Sequence, residues 1–207
     1  REQRGIGEAV APRLFRDGRY QNTLLLSPPG GGKTTLLRDL VRCLSSGGTG
    51  RPGLRVSLID ERGEVAVMVR GRPQMDVGPR TDVLDACPKA VGIPILLRAA
   101  NPQIIAVDEI TVREDLLAMA AAANCGVRFL ATIHAADAAE LTQRLAGVSF
   151  SHIYSSGLRR AQETAAAFAG ATPVTALPAL NERSFGKFEG IYEDQRDAAL
   201  FAEFGKR

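Results

Sequence analysis

The chain has no tryptophan, and aromatic residues make up only 5% of its 207 residues. Proteins that bind single-stranded nucleic acid combine aromatic stacking residues with a basic groove, and no basic stripe with interleaved aromatics is visible here. The net charge of +3 is too small to indicate nucleic-acid binding by itself. We therefore expect no nucleic-acid partner and keep a nucleic-acid motor only as a weaker alternative.

Cysteine and long apolar runs are also scarce. Cys43, Cys87 and Cys125 lie about forty residues apart, which fits neither a paired metal-binding knuckle nor a disulfide framework. Reduced cysteines are expected, and they favour a cytoplasmic location. No apolar run reaches the roughly 18 residues of a membrane-spanning helix, so a soluble chain is expected. The opening sequence REQRGIGEAVAPRLF lacks the apolar core of a secretory signal, and we expect a truncated or processed start.

Apolar runs alternate with helical patterns along most of the chain. Residues 23–26 and 55–60, with QIIAVDEI and VRFLATIH, predict buried strands, and LLRDLVRCL and EDLLAMAAAAN predict helices. Residues 81–100 have a helix-like periodicity interrupted at Pro88 and Pro94, which predicts a broken or kinked helix. Strands that alternate with helices predict an α/β fold with a mainly parallel sheet covered on both faces.

A glycine-rich stretch, SPPGGGKTT, joins the first of these strands to a helical pattern. Backbone N–H groups curled by glycine ahead of a helix surround an anion, and the helix dipole favours its negative charge. Lys33 would reach the β- and γ-phosphates, and Thr34 would offer its hydroxyl to Mg²⁺. Ser27 replaces the first glycine of the strict pattern, and a glycine-rich turn without ligand is the alternative. The predicted nucleotide-binding residues are Pro29, Gly30, Gly31, Gly32, Lys33, Thr34 and Thr35.

Two adjacent acids close the apolar strand IIAVDEI. Asp108 would hold Mg²⁺ and Glu109 would orient the attacking water, since phosphoryl transfer depends mostly on positioning and charge neutralisation. The same pair could be a plain helix cap. Because the glycine-rich loop is also present, we favour a site in which Thr34 and Asp108 bind the metal and Glu109 is catalytic.

Five motifs, NTLLLSPPGGGKTTLLRDLVR, VSLIDERGEVA, VGPRTDVLDACPKA, IIAVDEI and ATIHA, follow one another in this order. Together they resemble the stage III sporulation protein AA family of ATPases, which are related to secretion and pilus motors. The resemblance covers residues 1–147 and implies a RecA-like P-loop NTPase fold that hydrolyses ATP with Mg²⁺. It also implies a ring-shaped homo-oligomer that energises or regulates membrane-embedded, secretion-like channel proteins between mother cell and forespore. The implied location is cytoplasmic, including a peripheral one at the inner face of a membrane.

The resemblance assigns further residues to the site. It implies that Asp60 and Glu61 lie near the γ-phosphate and that His134 senses the nucleotide. Glu61 could instead pair with Arg62, and a lone histidine is more often a hydrogen-bonding residue of the core. Both alternatives stay open at this point.

An arginine from a neighbouring subunit would stabilise the transition-state charge in such a ring. Arg80 is the first choice, because the turn before it would present it at an edge. The candidates for this role are Arg62, Arg72 and Arg80.

Two departures from the family bear on activity. Family members carry a separate domain ahead of the lead-in helix, and the strands expected beyond ATIHA are missing. The ring-forming surface is therefore expected to be incomplete. This keeps open a non-hydrolysing, nucleotide-dependent assembly platform as an alternative function.

The sequence changes character near Gly147. SFSHIYSSGLRRAQETAAAF, followed by ALNERSFGKFEG, resembles the middle of a histidine phosphatase of the phosphoglycerate mutase type and predicts a small partial α/β tail. The resemblance implies that Arg160 holds a phosphate and Glu182 donates a proton to the leaving group. Its nucleophile belongs to an Arg-His-Gly motif, which this sequence lacks. We expect no phosphatase activity and keep phosphomonoester hydrolysis as an alternative.

Both resemblances are interrupted near residues 147–149, and each lacks parts that its own core needs. The expected organisation is a chimera of an ATPase domain, 1–147, and a histidine-phosphatase-like fragment, 148–207. A natural two-domain enzyme is the alternative, but it would leave unpaired strand edges and exposed apolar faces.

Overall fold

Five parallel strands pair at the centre of the fold. The computed structural model describes residues 4–26, 32–48, 51–133 and 152–180. The central strands are β3 (Thr23–Leu26), β4 (Val56–Asp60), β7 (Thr81–Asp85), β8 (Ile104–Ile110) and β9 (Arg128–Ile133). Their order across the sheet is β3-β9-β8-β4-β7, and every neighbouring pair is parallel. The predicted α/β class with a mainly parallel sheet is confirmed.

Helices cover both faces of this sheet, as the alternating pattern predicts. They are α2 (Lys33–Ser46) on one face and α3 (Lys89–Ala99) with α4 (Arg113–Ala123) on the other. The buried stripe of α2 has helical spacing and consists of Leu37, Leu40, Val41 and Leu44. Because side chains alternate along a strand, β8 contributes Ile104 and Ala106 to the α2 core and Ile105 and Val107 to the other.

Shorter elements surround the sheet. Ahead of it lie α1 (Ile6–Val10), a 3₁₀ turn (Ala11–Leu14) and a hairpin of β1 (Phe15–Arg16) and β2 (Arg19–Tyr20). A second hairpin, β5 (Met68–Val69) and β6 (Arg72–Pro73), follows β4. None of the described helices is long and apolar enough to cross a membrane.

The kinked helix predicted over residues 81–100 is wrong for its first part. Thr81–Asp85 is the edge strand β7, which pairs in register with β4. Helix α3 begins only after Pro88, since a proline disfavours helical conformation in the residue before it. Pro94 does lie inside α3. Pairing with β4 thus overrides the local helical periodicity over the first five of these residues.

The tail forms a separate β-α-β unit. It consists of β10 (Ile153–Ser155), α5 (Arg159–Ala169), β11 (Val174–Ala176) and a 3₁₀ turn (Pro178–Leu180), and β10 pairs with β11 in parallel. Tyr154 and Leu180 pack against the α2 core, and the Tyr154 hydroxyl donates to the Arg13 carbonyl at 3.3 Å. The described part of the tail therefore contacts the segment ahead of the central sheet, residues 6–20, which we call the lead-in segment.

Helix α1 is fastened to α2 through a buried carboxylate. The Gly7 N–H donates to Asp39 Oδ2 at 2.7 Å, and Arg42 binds both Asp39 and Glu8. A Cβ added at Gly7 would stand 2.7 Å from the Asp39 carbonyl group. The close approach of the two helices therefore requires glycine at this position.

Replacing Gly7 by alanine should lower the free energy of unfolding by about 1–3 kcal/mol, because the added methyl group displaces α1 from α2. Urea denaturation of the full chain measures this. Gly48→Ala is the matched control, since nothing lies within 4 Å of a Cβ there. Equal stability of the two variants would contradict the close packing.

Candidate nucleotide site

The carboxyl ends of the parallel strands meet at one edge of the sheet, where ligands bind in folds of this kind. β3 ends at Leu26 and β4 at Asp60, and β8 carries Asp108 and Glu109 near its end. Gly32 precedes α2 with φ 77, in the left-handed region that favours glycine, and its carbonyl accepts the Leu36 N–H at 2.9 Å. Gly32, the last glycine of the stretch, therefore stands at the start of the helix at this edge.

Lys33, the first residue of α2, is half-buried. Burial lowers the pKa of its ammonium group, and the negative charge of Glu109 opposes that shift. The predicted lysine and the predicted catalytic acid therefore interact electrostatically. Thr34 and Thr35 follow in the first turn of α2 and are also half-buried.

A β-bulge orients the two acids of β8. The strand pairs regularly with β9 as far as Val107, and the next paired residue is Glu109, opposite Thr132. Asp108 is therefore the extra residue. By alternation Thr132 faces the same side as Leu130, which packs in the α2 core. The bulge thus turns Glu109 toward the α2 side of the sheet, whereas in a regular strand it would face the opposite layer.

The Asp108 carboxylate is buried, with only 4% of the residue exposed. Burial raises the pKa of its carboxyl, although a backbone hydrogen bond from Glu109 and the charge of Lys89 both oppose the rise. The charges of Asp60 and Glu64 raise it further. Oδ2 has no hydrogen-bond partner among the residues that the structure describes. A buried carboxylate oxygen of this kind fits Mg²⁺ or its water shell.

Asp60, which the resemblance places near the γ-phosphate, organises the loop that follows β4. The residue is fully buried, and its two oxygens accept the N–H groups of Glu64, Val65 and Ala66 at 2.8–3.2 Å. From the other side, Arg38 of α2 donates to the carbonyls of Glu64 and Val65 at 2.6 Å. Hydrogen bonds therefore join this loop, residues 61–66, to the same helix that begins with Lys33.

Two charged side chains extend from this loop in different directions. Glu61 forms an ion pair with Lys89, whose side chain is only 2% exposed. Arg62 donates to Glu109 Oε2 at 3.0 Å. Glu61 thus pairs with Lys89 rather than with Arg62, the partner considered as its alternative.

The other predicted site residues lie elsewhere or outside the described chain. Arg80 precedes β7, at the amino edge of the sheet, where its N–H donates to Ser45 Oγ at 2.7 Å. Arg72 lies in the exposed β5–β6 hairpin. A role for either arginine in a neighbouring subunit stays a prediction. Pro29, Gly30, Gly31 and His134 fall outside the described residues.

Sequence reasoning missed Arg38 and Lys89. Arg38 directly follows Leu37 of the apolar stripe of α2, so its position beside the core was a usable signal. Lys89 opens α3, where a positive charge opposes the helix dipole and needs an anionic partner. Neither signal identifies the partner, because both partners are distant in sequence.

In the tail, Arg159 is exposed and pairs with Glu163 at 2.7 Å. The side chain of Arg160 and the whole of Glu182 lie outside the described part of the structure. The absence of phosphatase activity therefore stays a prediction.

Comparisons with known proteins agree with the two resemblances. Residues 1–154 match the model of the family Sporulation stage III, protein AA, and residues 133–207 match that of the Histidine phosphatase superfamily (branch 1). The two ranges overlap around the expected boundary, so the division at residue 147 stays a prediction.

The chain is 41% identical over 144 residues to stage III sporulation protein AA of Bacillus subtilis (strain 168). This alignment covers 70% of the chain and 47% of the relative, so the chain spans about half the length of the curated protein it matches. The X-ray structure of the Legionella pneumophila ATPase DotB is similar with a TM-score of 0.50 and 19% identity, over 80% of this chain and 42% of that one. The likeness to DotB shows the fold, which is RecA-like.

Replacing Asp108 by asparagine should stabilise the protein at neutral pH without metal or nucleotide. Folding raises the pKa of this carboxyl, so the folded protein favours the protonated Asp108. The stability that this group contributes is fully present below its ordinary pKa of about 3.9 and is lost as the pH rises through the raised pKa. Removing the buried charge should therefore raise the free energy of unfolding at pH 7 by about 1 kcal/mol, and less in acid.

Asp60→Asn is the matched control and should have the opposite sign. Its new NH₂ group would face backbone N–H groups that now donate hydrogen bonds to Asp60. The free energy of unfolding should therefore fall by about 1–3 kcal/mol. Urea denaturation across pH 4–8 measures both variants. A destabilised Asp108→Asn protein at pH 7 would contradict the proposed cost of the buried charge.

Proposed function

The chain belongs to the Sporulation stage III, protein AA family, and we propose that it is a Mg²⁺-dependent ATPase that energises or regulates a membrane-embedded, secretion-like channel. The observation that carries the proposal is the position of Lys33, after the glycine-rich loop, at the edge of the sheet where β8 ends with Glu109, whose charge acts on the lysine. Beside it lies Asp108, with a buried oxygen that has no partner among the described residues. A lysine, a buried acid and a second acid thus lie at one edge of the sheet, which supports their proposed roles toward phosphate, metal and water.

Each residue has a separate role in this proposal. The backbone of residues 29–35 and the Lys33 ammonium bind the phosphates, and Thr34 and Asp108 hold Mg²⁺. When bound, the metal would neutralise charge on the β- and γ-phosphate oxygens. Glu109 orients the attacking water.

Three further residues complete the proposed catalytic set. Glu61 polarises water near the γ-phosphate, His134 senses the nucleotide, and Arg80 acts on the site of a neighbouring subunit. The amino-edge position of Arg80 supports a role between subunits rather than within one, since the site lies at the opposite edge. The proposed assembly is a homo-oligomeric ring, peripheral to the inner face of a membrane and in contact with channel proteins.

A non-hydrolysing assembly platform is the second candidate. The ion pair between Arg62 and Glu109 favours it, because a carboxylate engaged by a guanidinium is a weaker acceptor for a water proton. Such a platform would bind ATP as tightly as the proposed ATPase does, but it would release no phosphate.

The tail enters the proposal as a second unit joined to the ATPase. Its match to a histidine phosphatase model supports a chimera of residues 1–147 and 148–207. We expect it to contribute contacts to the lead-in segment and no catalysis.

Lys33→Ala should weaken ATP binding at least a hundredfold, because a half-buried ammonium group at the phosphates is removed. Equilibrium titration with a fluorescent ATP analogue and Mg²⁺ measures the affinity. Arg98→Ala is the control: this exposed residue lies in the last turn of α3, away from the carboxyl edge, and its loss should change nothing. Unchanged affinity in Lys33→Ala would remove the proposal.

Specific ATPase activity should rise with protein concentration, because an arginine supplied by a neighbour acts only in the assembled ring. Arg80→Ala should lower kcat about a thousandfold or more, with size-exclusion mass unchanged. Phosphate release and mass are measured on the same samples. Tight ATP binding without phosphate release at any concentration would favour the platform instead.

A further inference from the structure

The ion pair between Arg62 and Glu109 has no role in the ATPase cycle proposed above. Arg62 is on the loop after β4 and Glu109 on the bulge of β8, 47 positions apart in sequence. Their closest atoms are 3.0 Å apart, and the side chains are 53% and 25% exposed. The guanidinium is thus open to solvent on the side away from the acid.

The loop that carries Arg62 is held firmly at this edge. The Asp60 carboxylate binds three consecutive N–H groups of the loop, and Arg38 binds two of its carbonyls. Since Arg38 belongs to α2, hydrogen bonds join the loop to the helix that begins with Lys33. The loop that carries Arg62 is therefore held beside that helix.

Glu109 interacts with two cations, Lys33 and Arg62. A γ-phosphate bound by Lys33 would bring further negative charge beside Glu109. Guanidinium groups bind carboxylate and phosphate oxygens in the same two-pronged geometry, and a phosphate group offers more negative charge and more acceptor oxygens than a carboxylate. The two anions would then compete for one arginine.

We propose that Arg62 is a positioning residue that acts within its own subunit: it restrains the Glu109 carboxylate until the γ-phosphate of ATP takes over the guanidinium and releases that acid. The proposal rests on the proposed ATPase function. It gives the site a distinction between ATP and ADP, because ADP has no γ-phosphate and leaves the ion pair in place.

A double-mutant cycle on nucleotide affinity tests the competition without relying on turnover. The affinities of a non-hydrolysable ATP analogue and of ADP, each with Mg²⁺, are measured by calorimetry for the wild type, Arg62→Ala, Glu109→Gln and the double variant. Glu109→Gln frees Arg62 from its partner, so it should bind the ATP analogue about three- to fivefold more tightly than the wild type. In the Arg62→Ala background the same change should give less than a twofold gain.

ADP and a matched arginine provide the controls. ADP affinity should stay within twofold across the whole cycle. Arg98→Ala should behave as the wild type with both nucleotides, and Arg62→Lys, which keeps the charge without the two-pronged geometry, should retain part of the coupling. Arg62→Gln is the substitute if Arg62→Ala fails to fold.

Simple repulsion between Glu109 and the γ-phosphate gives a different result. Glu109→Gln would then raise ATP-analogue affinity at least as much without Arg62 as with it, and this outcome would overturn the role of Arg62. If the wild type binds neither nucleotide, or Lys33→Ala binds both equally well, the ATPase proposal itself fails, and the Arg62 proposal fails with it. Binding that depends on Lys33 but shows no coupling refutes the Arg62 proposal alone.

Discussion

A single buried carboxylate, that of Asp60, organises the candidate site. Its oxygens take up three backbone N–H groups that would otherwise be unpaired inside the protein, and leaving such groups unpaired costs a few kcal/mol. The chain must therefore turn back on itself directly after β4. Glu61 and Arg62 leave that turn toward Lys89 and Glu109. The acid that the family resemblance places at the phosphate has a structural role in this arrangement.

Stability and the proposed metal binding oppose each other at the neighbouring strand. β8 is buried over most of its length, yet it carries an acid with an oxygen that lacks a protein partner among the described residues. Natural proteins accept such local costs where a ligand supplies the missing contact. Lys89 reduces the cost, because its positive charge acts on Asp108 while its ammonium group binds Glu61. The buried lysine therefore compensates charge for two separate acids.

Much of the fold follows from local sequence. The strands Thr23–Leu26, Val56–Asp60, Ile104–Ile110 and Arg128–Ile133 are continuous apolar runs, as buried parallel strands require. β7 is at the edge of the sheet and half-exposed, so its TDVLD sequence lacks that signature, and its periodicity predicts a helix instead. Its conformation is decided by pairing with β4, which joins residues about 25 positions apart. A short stretch of sequence around β7 does not include those partners.

The site was predictable in part for the same reason. Glycine, lysine and paired acids stand in recognisable order, so Lys33, Asp108 and Glu109 could be named from spacing alone. Arg38, Lys89 and the Arg62–Glu109 pair depend on which loop the fold places beside which strand. Such pairings arise from topology, and a single sequence contains no record of them.

The extra residue in β8 matters to anyone who transplants this chemistry. Adjacent positions of an ordinary strand point to opposite layers of the protein, so a grafted Asp-Glu pair would send its second acid away from the layer that holds α2. The backbone irregularity between Val107 and Glu109 must be transferred together with the two acids. Protein engineers who copy only the side chains would place the two acids on opposite sides of the sheet.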